Sequence, residues 1–279
     1  MSRSDVFVTA AELARMLSDG APVAILDVRW ELTAPDGREA YERGHVPGAV
    51  YVSLDDELTD HSVPGRGRHP LPTGAAVQEA ARRWGLRDGV PTVVYDDWNR
   101  AGSARAWWVL TAAGIEDVRI LDGGLGAWTA DGGALESGPV TPPPGDATVR
   151  FPDLYDGALP TVTADELAGF AGVVLDARAP ERFRGETEPV DPVAGHIPGA
   201  ANAPSTSLLA PDGTVLPGSE LTGVLDRIGT GDVAVYCGSG VTAAVTVAAL
   251  RACDVEARLF PGSWSQWSAD PARPVATGE

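Results

Sequence analysis

The sequence contains no lysine; all 21 of its basic residues are arginine, which we read as a genomic bias toward GC-rich codons rather than a functional device. Cysteine is nearly as scarce, with Cys237 and Cys253 the only two. They stand sixteen residues apart, and a second thiol on the helix that follows the first cannot reach back to it, so no disulfide framework is expected. The four histidines have no neighbouring cysteines and no paired spacing, which excludes a zinc site; no metal or cofactor is expected. A formal net charge of -18 lacks the basic face that nucleic acid or an anionic membrane requires, so neither is expected as a partner. No window reaches the ~18 apolar residues of a membrane helix. The opening "MSRSDVFVTAAELARML" lacks the basic stretch, apolar core and cleavage site of a secretory signal, so a cytoplasmic protein with free thiols is expected. No Gly-x-Gly-x-x-Gly follows a strand, and "DGGLGAW" ends in tryptophan, which argues against a nucleotide site.

What remains is an ordinary globular composition, 44% hydrophobic and 22% charged, in 279 residues. At roughly 150 residues per domain, that length suggests two domains. A pattern written twice supports the division. "VAILDVRW", "RGHVPGAV", "TVVYDD" and "ILDGGLGAW" in the first half match "VVLDARAP", "AGHIPGAAN", "VAVYCG" and "LFPGSWSQW" in the second. The offsets are nearly constant: 149 from Asp27 to Asp176, 151 from His45 to His196, 141 from Asp96 to Cys237, and 139 from Trp128 to Trp267. Each half opens on a capping box, Thr9 with Glu12 and Thr163 with Glu166. Short Val- and Ile-rich runs alternate with helical stretches such as Ala75 to Trp84, Arg105 to Ala113 and Val241 to Ala252. This predicts an α/β fold with parallel sheets covered by helices. The Pro- and Gly-rich stretch from Leu135 to Asp146 reads as a surface linker, with domains expected over 1–140 and 161–279 and the linker over 141–160.

The duplication also separates structural from chemical residues. Asp27 with Arg29 and Asp176 with Arg178 occur in both halves and are expected to hold loops; His45 and His196 are also duplicated and are not expected to be catalytic. Cys237 has no duplicate; Asp96 stands in its place. It heads Gly238-Ser239-Gly240-Val241-Thr242, where absent or short side chains let backbone N–H groups crowd around one point, a nest for an anion. The bland alternative is a small hydrophobe after a strand. Cys253 reads as a core thiol, and Trp264 and Trp267 as a seal on the second domain that walls its pocket.

Taken together, these motifs resemble the two-domain rhodanese-type sulfurtransferases, over essentially the whole chain. The resemblance implies two tandem rhodanese-like domains, each a central parallel sheet flanked by helices, with the reactive cysteine only in the second. It implies a persulfide on Cys237, fed by a small anionic sulfur donor and emptied by cyanide or by a thiol acceptor such as thioredoxin or a small thiol. The loop Cys-Gly-Ser-Gly-Val-Thr resembles the 3-mercaptopyruvate branch; the thiosulfate branch typically carries two cationic side chains there. Family-matched positions make Ser239, His69 and Asp55 a proton relay and Arg182 the donor-carboxylate arginine, with Arg184 nearby. Otherwise His69 is a loop histidine and Asp55 a helix cap. The resemblance fails at Asp191, where the family supplies a second donor arginine; Arg105 is the expected replacement. Thiosulfate as donor and a protein-fed persulfide relay remain alternatives. A cysteine phosphatase does not, because the position that would carry its arginine is Ala243.

Overall fold

A computed structural model of the chain describes residues 2–229 and 231–279. The first half forms a five-stranded sheet from β1 (Phe7–Val8), β2 (Ala24–Asp27), β3 (Val50–Tyr51), β4 (Thr92–Tyr95) and β5 (Val118–Leu121), ordered β1-β5-β4-β2-β3. The second half forms a four-stranded sheet from β6 (Val173–Asp176), β7 (Ala201–Asn202), β8 (Val233–Tyr236) and β9 (Arg258–Leu259), ordered β7-β6-β8-β9. Every pairing is parallel. The central strands β4 and β8 are buried along their full length, which is why they read as unbroken apolar runs. No helix among the described residues is long and apolar enough to cross a membrane.

The duplicated motifs turn out to be one latch used twice. Register places Asp27 beside Tyr95 and Asp176 beside Tyr236. Arg29 grips Asp27 and donates to Gly44 O, while Arg178 grips Asp176 and donates to Gly195 O, each at 2.6 Å to the carbonyl. The Tyr95 and Tyr236 hydroxyls accept from Val46 N–H and Ile197 N–H. Each Gly-His turn is thus pinned to the carboxyl end of its sheet. His45 stacks on Tyr41 and His196 on Phe183, each with Nδ1 on the backbone carbonyl of the residue it stacks against.

Both capping boxes form, although the second heads only the short helix Ala164–Ala168. The helix expected from Arg105 instead spans Ala101–Ala112, because Asp96 accepts from Arg100 N–H and Ser103 N–H and so caps an earlier start. The helix after Cys237 runs over Ala243–Arg251 rather than from Val241, leaving the nest outside it. The linker is less free than its composition suggests. Residues 141–150 hold no regular element, yet Gly145 N–H donates to Arg82 O and Ala147 N–H to Leu86 O, and Ala147, Leu154 and Leu159 are buried.

The helices Ala101–Ala112 and Ala243–Arg251 are buried almost all round and pack on each other, so one apolar core runs through both halves. Within the first half, a Cβ at Gly102 would collide with Val28 O, so glycine lets the helix Ala101–Ala112 lie against the end of β2. At the contact between the two helices Arg105 is fully buried. Its guanidinium donates to Leu58 O (3.0 Å), His69 O (3.0 Å), Pro70 O (3.3 Å) and Gly240 O (3.4 Å). Burial pushes its pKa down to about 10, still leaving it charged at neutral pH. Arg105→Met, which keeps the volume but strands the Leu58, His69 and Gly240 carbonyls, is expected to cost about 3 kcal/mol of stability, read as a lowered urea midpoint.

Candidate active site

Cys237 follows β8 at the carboxyl end of the second sheet, where the loops of parallel folds converge. The thiol is buried, and its Sγ accepts a hydrogen bond from Gly240 N–H at 3.1 Å. Five N–H groups were expected to crowd the sulfur; among the described hydrogen bonds only that of Gly240 reaches it. Glycine is required there, since φ is +78° and a Cβ would collide with Pro261 O. The loop is held from below by the helix Ser263–Trp267: Cys237 N–H donates to Ser263 Oγ, while Trp264 N–H and Ser265 N–H donate to Cys237 O and Gly238 O.

From this loop a chain of polar contacts crosses into the first half. Ser239 Oγ lies 2.8 Å from His69 Nδ1, and His69 Nε2 lies 3.3 Å from Asp55 Oδ1, which also accepts from Trp30 Nε1. Asp55 sits in the helix Leu54–Glu57, capped not by itself but by Ser53. A carboxylate only accepts, so the ring hydrogen belongs on Nε2 and the Ser239 hydroxyl donates to Nδ1. Burial, reinforced by the cationic Arg105 and Arg68 and by His61, pushes the His69 pKa down to about 3. The ring is therefore neutral at pH 7 even with Asp55 beside it.

A cleft of about 280 Å³ opens over the sulfur. Arg182, Gly238, Val241 and Thr242 line it, together with Cys237 and Ser239; Gly240 does not, its part being the N–H on sulfur. The opposite wall comes from the first half: Arg68, Trp30 and Trp98, the last 56% exposed. Sequence reasoning missed all three, although Arg68 adjoins His69 and could have been found from it. The expected replacement arginine, Arg105, is not in the cleft, because its guanidinium is spent on backbone carbonyls. Trp264 and Trp267 do not wall the cleft either; both are buried, with their Nε1 groups on Val193 O and Pro274 O. Arg184 pairs with Glu186 at the surface. Cys253 lies beyond the far end of the helix Ala243–Arg251, packed on the core with its thiol pushed up by burial. A larger cleft of about 660 Å³ elsewhere has no cysteine, and its Arg119 and Arg150 are already paired with Asp117 and Glu116.

The first half shows what became of the same loop without cysteine. Asp96 fills it with its own carboxylate, which accepts from Trp98, Arg100 and Ser103 N–H and from Ser103 Oγ, and which pairs with Arg100 Nη2 at 2.9 Å.

The family of rhodanese-like domains matches twice, over residues 9–131 and 161–270. The chain belongs to the rhodanese family. A Mycobacterium tuberculosis relative, provisionally named thiosulfate sulfurtransferase SseB, is 62% identical over 281 residues, covering 99% of both chains. The 3-mercaptopyruvate sulfurtransferase of Escherichia coli K12 is 37% identical over 280 residues, covering 96% of this chain and 97% of its own. The solved structure of the 3-mercaptopyruvate sulfurtransferase SseA from Escherichia coli superimposes with a TM-score of 0.80 at 34% identity, covering 93% of this chain and 98% of that one. This rhodanese is accordingly a sulfurtransferase, with two parallel sheets flanked by helices.

The depressed His69 pKa has a consequence for stability. Between pH 6.5 and about 3 the unfolded chain binds a proton at this ring that the folded chain does not. The contribution is complete above pH 6.5 and is lost as pH falls, by up to about 1.4 kcal/mol per pH unit. From pH 7 to pH 5, the native protein is expected to lose about 2 kcal/mol more stability than His69→Gln, measured by urea unfolding of both chains at both pH values. Identical pH dependence in the two chains would contradict a neutral ring.

Proposed function

We propose that this rhodanese takes sulfane sulfur from 3-mercaptopyruvate and passes it to a thiol or cyanide through a persulfide on Cys237. The observation that carries the donor assignment is the Ser239–His69–Asp55 chain ending at a neutral Gly-Ser-Gly loop. The Cys237 thiolate attacks the donor's sulfur, the S–S bond forms, and the C–S bond breaks with its electron pair on carbon. The leaving group is the enolate of pyruvate, so the hydrogen carried by the donor's sulfur must reach that carbon. Ser239 Oγ is the group that relays it: His69 Nδ1, oriented by Asp55, takes up the serine's own hydrogen as Oγ receives that of the donor's sulfur, and returns it as Oγ hands the hydrogen on to carbon, so both residues end unchanged. The outcome is a Cys237 persulfide anion and pyruvate, with Gly240 N–H on the sulfur. Attack on the outer sulfur by a thiolate acceptor, thioredoxin or a small thiol, restores Cys237. Two unpaired cysteines suit the cytoplasm as the site of this chemistry.

Thiosulfate is the second reading, supported by the provisional name of the Mycobacterium tuberculosis relative. It leaves as sulfite, which needs no proton, and this difference makes the two donors separable. A persulfide relay fed only by a protein is distinguished by failure to turn over either small donor.

The test is kcat and KM for both donors, followed as pyruvate or sulfite release. Cys237→Ser is expected to abolish both activities and Cys253→Ser to preserve them. Ser239→Ala is expected to lower kcat for 3-mercaptopyruvate about a hundredfold and for thiosulfate less than about threefold. Equal slowing of both donors would remove Ser239 from proton transfer and leave it only a part of the loop.

A further inference from the structure

Asp191 stands where the family places a second donor arginine, but its surroundings make it more than a missing contact. Its Oδ1 accepts from Arg68 Nη1 at 2.8 Å and its Oδ2 from Arg182 Nη2 at 3.3 Å, with the Asp191 side chain only 4% exposed. Arg68 comes from the first half and Arg182 from the second, so one carboxylate bridges two guanidinium groups across the domain contact. Glu188 braces the far side. It accepts from Arg182 Nη2 at 2.6 Å, pairs with Arg178 at 3.4 Å, and takes the N–H of Asp191 at 3.1 Å. What the carboxylates leave open is as informative as what they bind. Arg68 Nη2 and Arg182 Nη1 donate to no protein group among the described hydrogen bonds. Both converge on the catalytic loop, since a Cβ placed on Gly238 would lie 3.4 Å from the first and 3.5 Å from the second.

We infer that Asp191 is a positioning and charge-setting residue, which draws Arg68 across from the first domain to pair with Arg182 as the clamp for the donor's anionic end. It also removes one unit of positive charge from the cleft, so that a singly charged carboxylate is favoured over a dianion. The inference rests on the donor-site reading above. Two guanidinium groups held about one bridging carboxylate keep their geometry without side-chain entropy to lose on binding. The added negative charge acts on the donor in proportion to the donor's own charge, so a dianion loses twice the interaction free energy that a monoanion loses. Glu188, shared between Arg182 and the latch arginine Arg178, keeps Arg182 from turning away when Asp191 loses its charge.

Binding and turnover test this separately. In a Cys237→Ser background, which carries no chemistry, pyruvate and sulfate are titrated by calorimetry as the mono- and dianionic probes. Adding Asp191→Asn is expected to tighten sulfate about thirtyfold and pyruvate about fivefold, the twofold ratio in free energy that their charges require. Adding Arg68→Gln is expected to weaken both probes about tenfold or more. In the active chain, Asp191→Asn is expected to move kcat/KM toward thiosulfate through KM with little change in kcat, and Arg68→Gln to raise KM for both donors. An Asp191→Asn chain whose two probe affinities keep their original ratio overturns the charge-setting role, and an Arg68→Gln chain that binds both probes normally overturns the clamp. Failure of 3-mercaptopyruvate to turn over in the native chain, with the binding pattern intact, would instead count against the donor reading and not against the clamp.

Discussion

The whole site hangs on one buried guanidinium. Arg105 is the point at which the helix carrying Asp55, the turn-rich segment carrying His69 and the loop carrying Cys237 are tied together, through Leu58 O, His69 and Pro70 O, and Gly240 O. Burying a charge is costly, and it is tolerated here because four backbone carbonyls converge on it. Carbonyl lone pairs have fixed directions, so the three segments meet in one geometry. A methionine would fill the space and leave that geometry undetermined. Contacts as short as 2.8 Å between Ser239 and His69, 170 residues apart, depend on such a constraint.

Around this constraint the two halves show what duplication preserved and what it released. The Asp-Arg-Tyr latch is the same in both, because each sheet must present a rigid carboxyl edge before any loop on it can be useful. The loops then part company. In the first half Asp96 supplies the anion that the nest is built to hold, and the site is closed by its own side chain. In the second half the side chain is a sulfur, weakly held by a single N–H, and the space above it is left for a ligand. Asp96 stabilises the start of the helix Ala101–Ala112, whose inward face presents Arg105. The loop without cysteine therefore supports the loop that carries it, through the helix between them.

This history also explains how much of the protein could be read from its sequence. The sheets, the capping boxes, the latch residues and Cys237 were legible because each is written in short, repeated or periodic patterns. The positions of Ser239, His69 and Asp55 relative to one another followed only from family resemblance, since nothing in "RHPLPTG" shows that its histidine meets the second half. Arg105 was misread for a physical reason: an arginine amid apolar residues looks free to serve an anion, and only the fold reveals that carbonyls already claim it. Arg68 and Asp191, 123 residues apart, carry no mutual signal in the chain. Helix limits slipped where side chains such as Asp96 capped a helix ahead of its apolar pattern.

The charge of the molecule gives these local details their weight. A chain with a net charge of -18 repels an anionic donor at long range, so capture cannot rely on steering by the overall field. It must rely on short hydrogen bonds inside the cleft, beyond the reach of solvent screening. There Arg68, Arg178 and Arg182 face Asp176, Glu188 and Asp191, a balanced set in which no guanidinium lacks a carboxylate. Such a set offers directed N–H groups with little net field. A ligand that brings one carboxylate and a reactive sulfur on an otherwise neutral carbon frame matches it; a compact ion with two charges gains no extra attraction to offset its heavier desolvation. On the proposed reading, the arginines act less as a source of positive potential than as a shaped pair of donors, and their acidic partners keep that shape without turning the cleft into a general anion trap.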